Sequence, residues 1–437
     1  METCICYGSS WCNPYHLRWG GILEKYSIET KVSKRNTLCW CFATLGLLPL
    51  LVFKYYNFLN DSITSLLETA GLHFSLPGLN WAIPVGISFF TFQAVGYLMD
   101  VYYGRVKDEK NFLDYALFVS FFPQVTSGPI SRFSELMPQI KTHHVFEYKQ
   151  GVDGLRLLLW GMFLKTVVAD RLGIYVDTVY SNYSFYTGLT CFLASIFYTF
   201  QIYSDFAGYS LMAVGIAKTM GFDIVNNFNR PYFADSITNF WRRWHISLTR
   251  WLTTYVYIPL GGNRCSKLRQ YVNIMVTFLV SGLWHGANWT FVVWGALHGV
   301  YQIIEKMLGI DPKGKYAGSK VLRTFKPVRI ILTFLLVNFA WIFFRMPTLG
   351  DACSVIGSIF TDHSVSVFVG TNIYDTLYMV LALAILINKE VMQEYFGQIY
   401  NAVLSRSFCK WCIYSVLFVY IILSGVFDSG NFIYVNF

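Results

Sequence analysis

What most limits the fold of this chain is a succession of apolar stretches. They lie near 38–57, 80–101, 112–130, 153–169, 187–217, 271–284, 287–304, 328–345, 372–388 and 411–427. About 20 mostly apolar residues cross a bilayer as a helix. In hydrocarbon every backbone N–H and C=O must be bonded internally, so such segments are helical. Charged residues make up only 14% of the sequence, against about 25% in soluble domains. The expectation is an all-α, multi-pass integral protein of the cell (inner or plasma) membrane, in contact with its lipids. Several stretches contain Pro or Gly, or are too short to cross alone. That predicts re-entrant segments, and Pro123 with the Gly128-Pro129 pair in "FFPQVTSGPI" predicts one at 121–130.

Charge placement gives an orientation. Lys31, Lys34 and Arg35 precede the first stretch, the 57–80 loop has no Lys or Arg, and "GRVKDEKN" is basic again. Lys and Arg favour the cytoplasmic side, so the 57–80 loop is expected outside. Between 225 and 270 stand Arg230, Arg242, Arg243, Arg250, Arg264, Lys267 and Arg269 against the single acid Asp235. That segment is expected at the cytoplasmic face. Its basic residues alternate with membrane-grade aromatics, which argues against nucleic acid. No clean signal peptide opens the chain. The Cys4/Cys6, Cys39/Cys41 and Cys409/Cys412 pairs read as buried or lipid-facing thiols. The lone CxxC lacks a second pair or a nearby histidine, so zinc is a poor reading.

Two histidines stand out. In 226–264, Asp235 and Ser236 are placed to cap a helix. At about 100° per residue, Trp241, Trp244, His245, Leu248, Trp251, Leu252 and Tyr255 would share one face, with Arg243 and Arg250 opposite. This predicts an interfacial amphipathic helix broken by "PLGGNR". His285, in "SGLWHGANWT", lies between strongly apolar runs. An ionisable group at membrane depth is costly and points to a polar cavity or pathway. Gly282 and Gly286 permit close approach, and Asn288 falls on the same side if the segment is helical. His298 falls about 220° further round a continuous helix and is read as structural. A neutral imidazole takes a proton from a hydroxyl as that oxygen attacks a carbonyl. Proton relay and metal binding remain open alternatives, although no carboxylate accompanies either histidine motif. Asp205, in "YSDFAGYS", is the main acid within a span. For His245 the competing reading is a core histidine bonded to a backbone carbonyl.

"SFFPQVTSGPISRF", "QIYSDFAGYSLMAVGIAKTMGF", "NFNRPYFADSITNFWRRWHISLTRWL", "YIPLGGNR" and "SGLWHGANWTFVVWGALHG" occur in order. Together they resemble the membrane-bound O-acyltransferase family, and its alginate O-acetyltransferase branch in particular. The resemblance covers roughly 45–345. It implies a ring of tilted helices around a funnel or tunnel, with re-entrant segments. By it, His285 of "LWHG" is the catalytic histidine and His245 of "RRWHISL" the second functional one. Trp284, Asn288, Trp244, Arg242 and Asp205 are candidates to line the tunnel. It further implies an acyl donor such as acetyl-CoA as co-substrate from the cytoplasm, with no bound cofactor or metal. The acceptor would be an exported polysaccharide, reached through an extracytoplasmic acetyltransferase partner. Candidate contacts for that partner are the 57–80 and 173–186 loops. A related branch transfers D-alanine toward teichoic acid. From other classes, a transporter of acyl donor or a scaffold of a polysaccharide secretion complex is the alternative. Residues 38–437 are expected to form one membrane unit. Residues 1–37 form an atypical amino-terminal segment, read as a truncated or alternative opening of the family pattern.

Overall fold

The computed structural model describes residues 17–23, 32–73, 76–79, 81, 84, 86–126, 128–316, 318–370 and 372–427. Much of the 1–37 segment, including the Cys4/Cys6 pair, lies outside the described residues, as does part of the 80–101 stretch. Among the described residues every regular element is helical. The principal helices in chain order are α1 (Asn36–Thr69), α2 (Ile87–Tyr102), α3 (Tyr148–Met162), α4 (Asp170–Tyr180), α5 (Gly188–Thr219), α6 (Ile237–Arg243) and α7 (Ile246–Leu252). They continue as α8 (Lys267–His285), α9 (Trp289–Leu308), α10 (Lys326–Arg345), α11 (Leu349–Thr361), α12 (Ile373–Tyr395) and α13 (Ser407–Ser424). Of these, α1, α10 and α13 are long and apolar enough to cross a bilayer by length and composition.

Small residues set the tightest helix contacts. Gly154 and Gly161 of α3 face Gly215 and Gly208 of α5 in antiparallel register. A Cβ at Gly154 would stand 2.6 Å from the Gly215 carbonyl, and one at Gly161 2.7 Å from the Gly208 carbonyl. Where lipid is the solvent, close backbone approach of this kind replaces the hydrophobic drive between helices. Two π-helical turns interrupt the rods, Leu51–Tyr55 within α1 and Phe163–Ala169 between α3 and α4. Each carries a buried lysine, Lys54 and Lys165.

The 112–130 stretch is not one span. It divides into Phe112–Val119 and Phe122–Val125, neither long enough to cross. Gly128 folds back so tightly that a Cβ there would meet the Pro123 carbonyl at 2.4 Å.

The single amphipathic helix expected over 236–257 does not form either. α6 ends at Arg243, and His245 takes a left-handed conformation (φ 43°) as α7 begins. For a non-glycine residue that costs about 1–3 kcal/mol. Distant backbone supplies the compensation. The Asn227 carbonyl accepts the Ile246 N–H (2.9 Å), the Asn227 side-chain oxygen accepts the Ser247 N–H (3.2 Å), and Asn229 N–H donates to the Arg243 carbonyl (2.9 Å). The break divides the expected aromatic face. Trp241 and Trp244 enter one hydrophobic cluster, and Leu248, Trp251, Leu252 and Tyr255 enter another. Nor are Arg243 and Arg250 simply turned toward headgroups, since they pair with Glu394 and Glu135.

Candidate functional site

α8 ends at His285, and the chain reverses through Gly286 and Ala287 into α9. Asn288 caps the new helix, its side-chain oxygen accepting the Thr290 N–H (3.0 Å) while its amide donates to the Pro347 carbonyl (2.8 Å). The hairpin closes on glycines. A Cβ at Gly282 would lie 2.3 Å from the Phe291 carbonyl, and one at Gly295 2.4 Å from that of Phe278.

A helix terminus leaves carbonyls without intrahelical donors, and here α1 reaches across to them. The Lys54 ammonium donates to the carbonyls of Trp284 (2.7 Å) and His285 (3.0 Å), and the Tyr55 hydroxyl donates to that of Leu283 (2.5 Å). A cation at the negative end of a helix dipole is favourable in itself. Lys54 and Tyr55 were not singled out by motif reading. Their signal was a lone lysine inside the apolar "LVFKYYNF" run.

The two histidines meet. Their ring centroids are 6.4 Å apart, and they are 0% (His245) and 2% (His285) exposed. His285 is walled by Trp284 (4.9 Å), Trp294 (5.0 Å) and Phe344 (5.3 Å), edge to face. His245 lies against Phe206 (4.6 Å) and Trp284 (5.8 Å). Neither ring nitrogen of His245 has a hydrogen-bond partner among the described residues, so the carbonyl-bonded core histidine is not what forms. The indole N–H groups of Trp244 and Trp294 and the buried Ser281 hydroxyl are likewise unpartnered among the described residues. Buried polar atoms are normally bonded, so their concentration here marks a lining suited to a polar guest.

His298 is closer to this wall than a continuous helix would allow. The reversal at 286–288 folds α9 back on α8, and Trp294 touches both His285 and His298, each at 5.0 Å. His298 Nδ1 accepts from the Trp241 indole (3.3 Å), while its Nε2 has no hydrogen-bond partner among the described residues. Trp244 packs on Phe228 (5.0 Å) and Trp341 (5.1 Å). Asp205 is engaged by Lys165 (2.7 Å), which also meets Asp170 (2.7 Å). Its neighbour Phe206, not Asp205, faces His245 in the contacts above.

Two cavities approach α8 near the histidines. One of about 400 Å³ is lined by the cations Arg242, Lys306 and Lys313, by Asp311, which pairs with Lys306, and by Phe278 and Ser281 of α8. Ser281 stands one helical turn before His285. The other, about 520 Å³, is lined by Lys54, Asn57, Asp61, Asn288 and Trp289, past the end of α8. Among the described residues no group of three or more His, Cys, Asp or Glu is placed to hold a metal ion. A paired imidazole between two approaches suits proton transfer during attack of a hydroxyl on an acyl group.

Residues 105–309 match the family model for MBOAT, the membrane-bound O-acyltransferase family. The chain is 39% identical to a probable alginate O-acetylase of Pseudomonas putida over 76% of this chain and 66% of that protein. It is 41% identical to one of Pseudomonas aeruginosa over 78% and 64%. A peptidoglycan O-acetyltransferase of Helicobacter pylori is 36% identical over 77% of this chain and 68% of that protein. The chain thus spans just under two thirds of the length of the two alginate O-acetylases.

Proposed function

This chain belongs to the membrane-bound O-acyltransferase family, and from that premise we propose that it is a membrane O-acyltransferase moving an acetyl group toward an exported polysaccharide. The observation that carries the reading is the buried His245–His285 pair, 6.4 Å apart, with Ser281 before His285 lining one cavity and Ala287 and Asn288 after it lining another. The basic cavity suits an anionic donor such as acetyl-CoA, with Arg242, Lys306 and Lys313 near its phosphates. By the charge rule that side is cytoplasmic. The acceptor hydroxyl enters from the other cavity, past Lys54 and Asn288.

The neutral His285 imidazole takes the hydroxyl proton as the oxygen bonds to the thioester carbonyl carbon. A tetrahedral oxyanion forms, and His245, with its unpartnered nitrogens, is placed to hydrogen-bond it. When the carbonyl re-forms, the carbon–sulfur bond breaks and the imidazolium returns its proton to the leaving thiolate. Trp284, Trp244 and Trp294 exclude water, which would otherwise hydrolyse the donor.

The acetyl reading ranks above D-alanyl transfer. A teichoic acid D-alanyltransferase of Bacillus subtilis is matched at 28% identity, against 36–41% for the acetylases. Among the described residues the non-helical segments are short, so a bulky glycan is best presented by a separate extracytoplasmic acetyltransferase docked near 57–80 and 173–186, expected as loops but helical as far as Thr69 and Tyr180. His285→Ala tests the chemistry. Removing a general base typically lowers rate by about 10²–10⁴, read as glycan O-acetylation in cells and as thiol release from acetyl-CoA by the purified protein supplied with a soluble oligosaccharide acceptor. Wild-type rates in a well-expressed His285→Ala protein would overturn the assignment.

A further inference from the structure

Glu394 lies on α12, beyond the segment that matches the family model, yet its carboxylate reaches the side chains of Arg230 and Arg243, which flank the backbone that sets His245. One Glu394 oxygen accepts from Arg243 Nη2 at 3.0 Å. The other accepts from Arg243 Nη1 at 3.1 Å and meets Arg230 Nε at 2.8 Å. Arg243 Nη1 also donates to the Arg230 carbonyl (3.3 Å). All three side chains are largely buried, Glu394 at 12% exposure, Arg230 at 27% and Arg243 at 19%.

Arg230 and His245 are the two non-glycine residues with positive φ among the described residues, 46° and 43°. Between them the 227–230 strand of chain lies against 243–247. Asn227 bonds one end of this pairing at Ile246 and Ser247, and Asn229 bonds its middle at Arg243. At the other end the Arg243 side chain donates to the Arg230 carbonyl, and Glu394 ties the two guanidinium groups together. Backbone in a sparsely populated region persists only where its surroundings over-determine it. A carboxylate held bidentately by the Arg243 guanidinium gives such a constraint, directional and charge-assisted, and the Arg230 guanidinium adds an ion pair to it. α12 makes a second contact one turn earlier, where Glu390 accepts from the Tyr203 hydroxyl, and the Tyr203 ring packs on Phe228 and Trp244.

We propose that Glu394 is a positioning residue for His245: by clamping Arg230 and Arg243 it fixes the break between α6 and α7 that turns the His245 ring toward His285. The inference rests on the acyl-transfer reading above. It predicts that neutralising Glu394 slows chemistry without weakening donor binding, because the basic cavity is lined by Arg242 and not by Arg230 or Arg243.

The test uses the full chain in detergent, with acetyl-CoA as donor, a short soluble oligosaccharide as the hydroxyl acceptor, and acceptor-dependent thiol release as readout. It compares wild type, Glu394→Gln, Glu394→Asp and His285→Ala. A misplacement of about 1 Å lowers rate by about 10²-fold. The expected result is a fall of about that size in kcat for Glu394→Gln, an unchanged KM for acetyl-CoA, and partial recovery of kcat in Glu394→Asp. If Glu394→Gln does not elute as a monodisperse species, Glu394→Asp and Arg230→Lys, which keep every charge, carry the comparison; each is expected to lose kcat at constant KM. Wild-type kcat in the folded variants overturns the inference while loss in His285→Ala leaves the acyl-transfer reading standing. So does a loss of thermal stability in proportion to activity with no recovery in Glu394→Asp. Wild-type thiol release by His285→Ala overturns the acyl-transfer reading and this inference with it.

Discussion

Consider Gly282→Ala. The Cβ would be created 2.3 Å from the Phe291 carbonyl oxygen, where ordinary contact begins near 3.4 Å. The Cβ position is fixed by the α8 backbone and the carbonyl belongs to the α9 backbone, so no flexible side chain can swing aside. α8 and α9 must part by about 1 Å, and overpacking of this kind costs about 1–3 kcal/mol. His285 lies three residues further along the same helix, at the point where the hairpin turns. A shift of about 1 Å there is expected to lower the rate by about 10²-fold. Gly154→Ala supplies a matched control. Its Cβ would lie 2.6 Å from the Gly215 carbonyl, a comparable collision between α3 and α5. Thiol release from acetyl-CoA per folded molecule, with thermal unfolding followed in detergent, separates the two. Both variants should lose stability, and Gly282→Ala should lose far more rate. Wild-type turnover in folded Gly282→Ala, or an equal rate loss in Gly154→Ala, would refute the claim that hairpin spacing sets His285.

Three further outcomes are expected. Lys54→Met leaves the Trp284 and His285 carbonyls without their cross-helix donor; each buried unsatisfied group costs about 1–3 kcal/mol, so the unfolding temperature should drop, and an unchanged one counts against the cap. His245→Ala should cut transfer strongly while His245→Gln retains part of it through hydrogen bonding; loss of both only through degradation would return His245 to a core role. In a cysteine-depleted protein carrying Arg264→Cys, an impermeant thiol reagent should label only after the membrane is opened; ready labelling of intact cells would reverse the proposed sidedness.

The helical class and the positions of most elements were legible because long apolar runs admit little else. Both histidines could be found because ionisable groups in such runs are conspicuous. What periodicity could not give was the break at His245. Local pattern over 236–257 favours one helix, and the bonds that defeat it come from Asn227 and Asn229, outside that window. His298 was misplaced for a related reason. The rotation of about 100° per residue holds only while the helix continues, and Gly286 ends it. Asp205 looked like a tunnel acid because sequence does not display Lys165, which sits on a π-helical turn opposite it.

The break also explains why the histidines lie where they do. Trp244 and Trp294 belong to one hydrophobic cluster, and Trp284 and Leu248 to the other. A straight helix through 236–257 would send Trp241, Trp244, Leu248 and Trp251 into a single core and bury His245 within it. Turning the chain at His245 puts α6 in one cluster and α7 in the other, and the reversal after His285 does the same for Trp284 and Trp294. Both imidazoles are thereby left at the seam between two cores, with aromatic walls from Trp284 of one and Trp294 of the other. A seam is where two bodies of packing need not interlock, so a passage for an acyl chain can exist there without a void in either core, each of which would lose stability to a cavity. On this argument the strained His245 backbone is part of what holds the two imidazoles at the seam, and restoring helical continuity through 244–246 should part them.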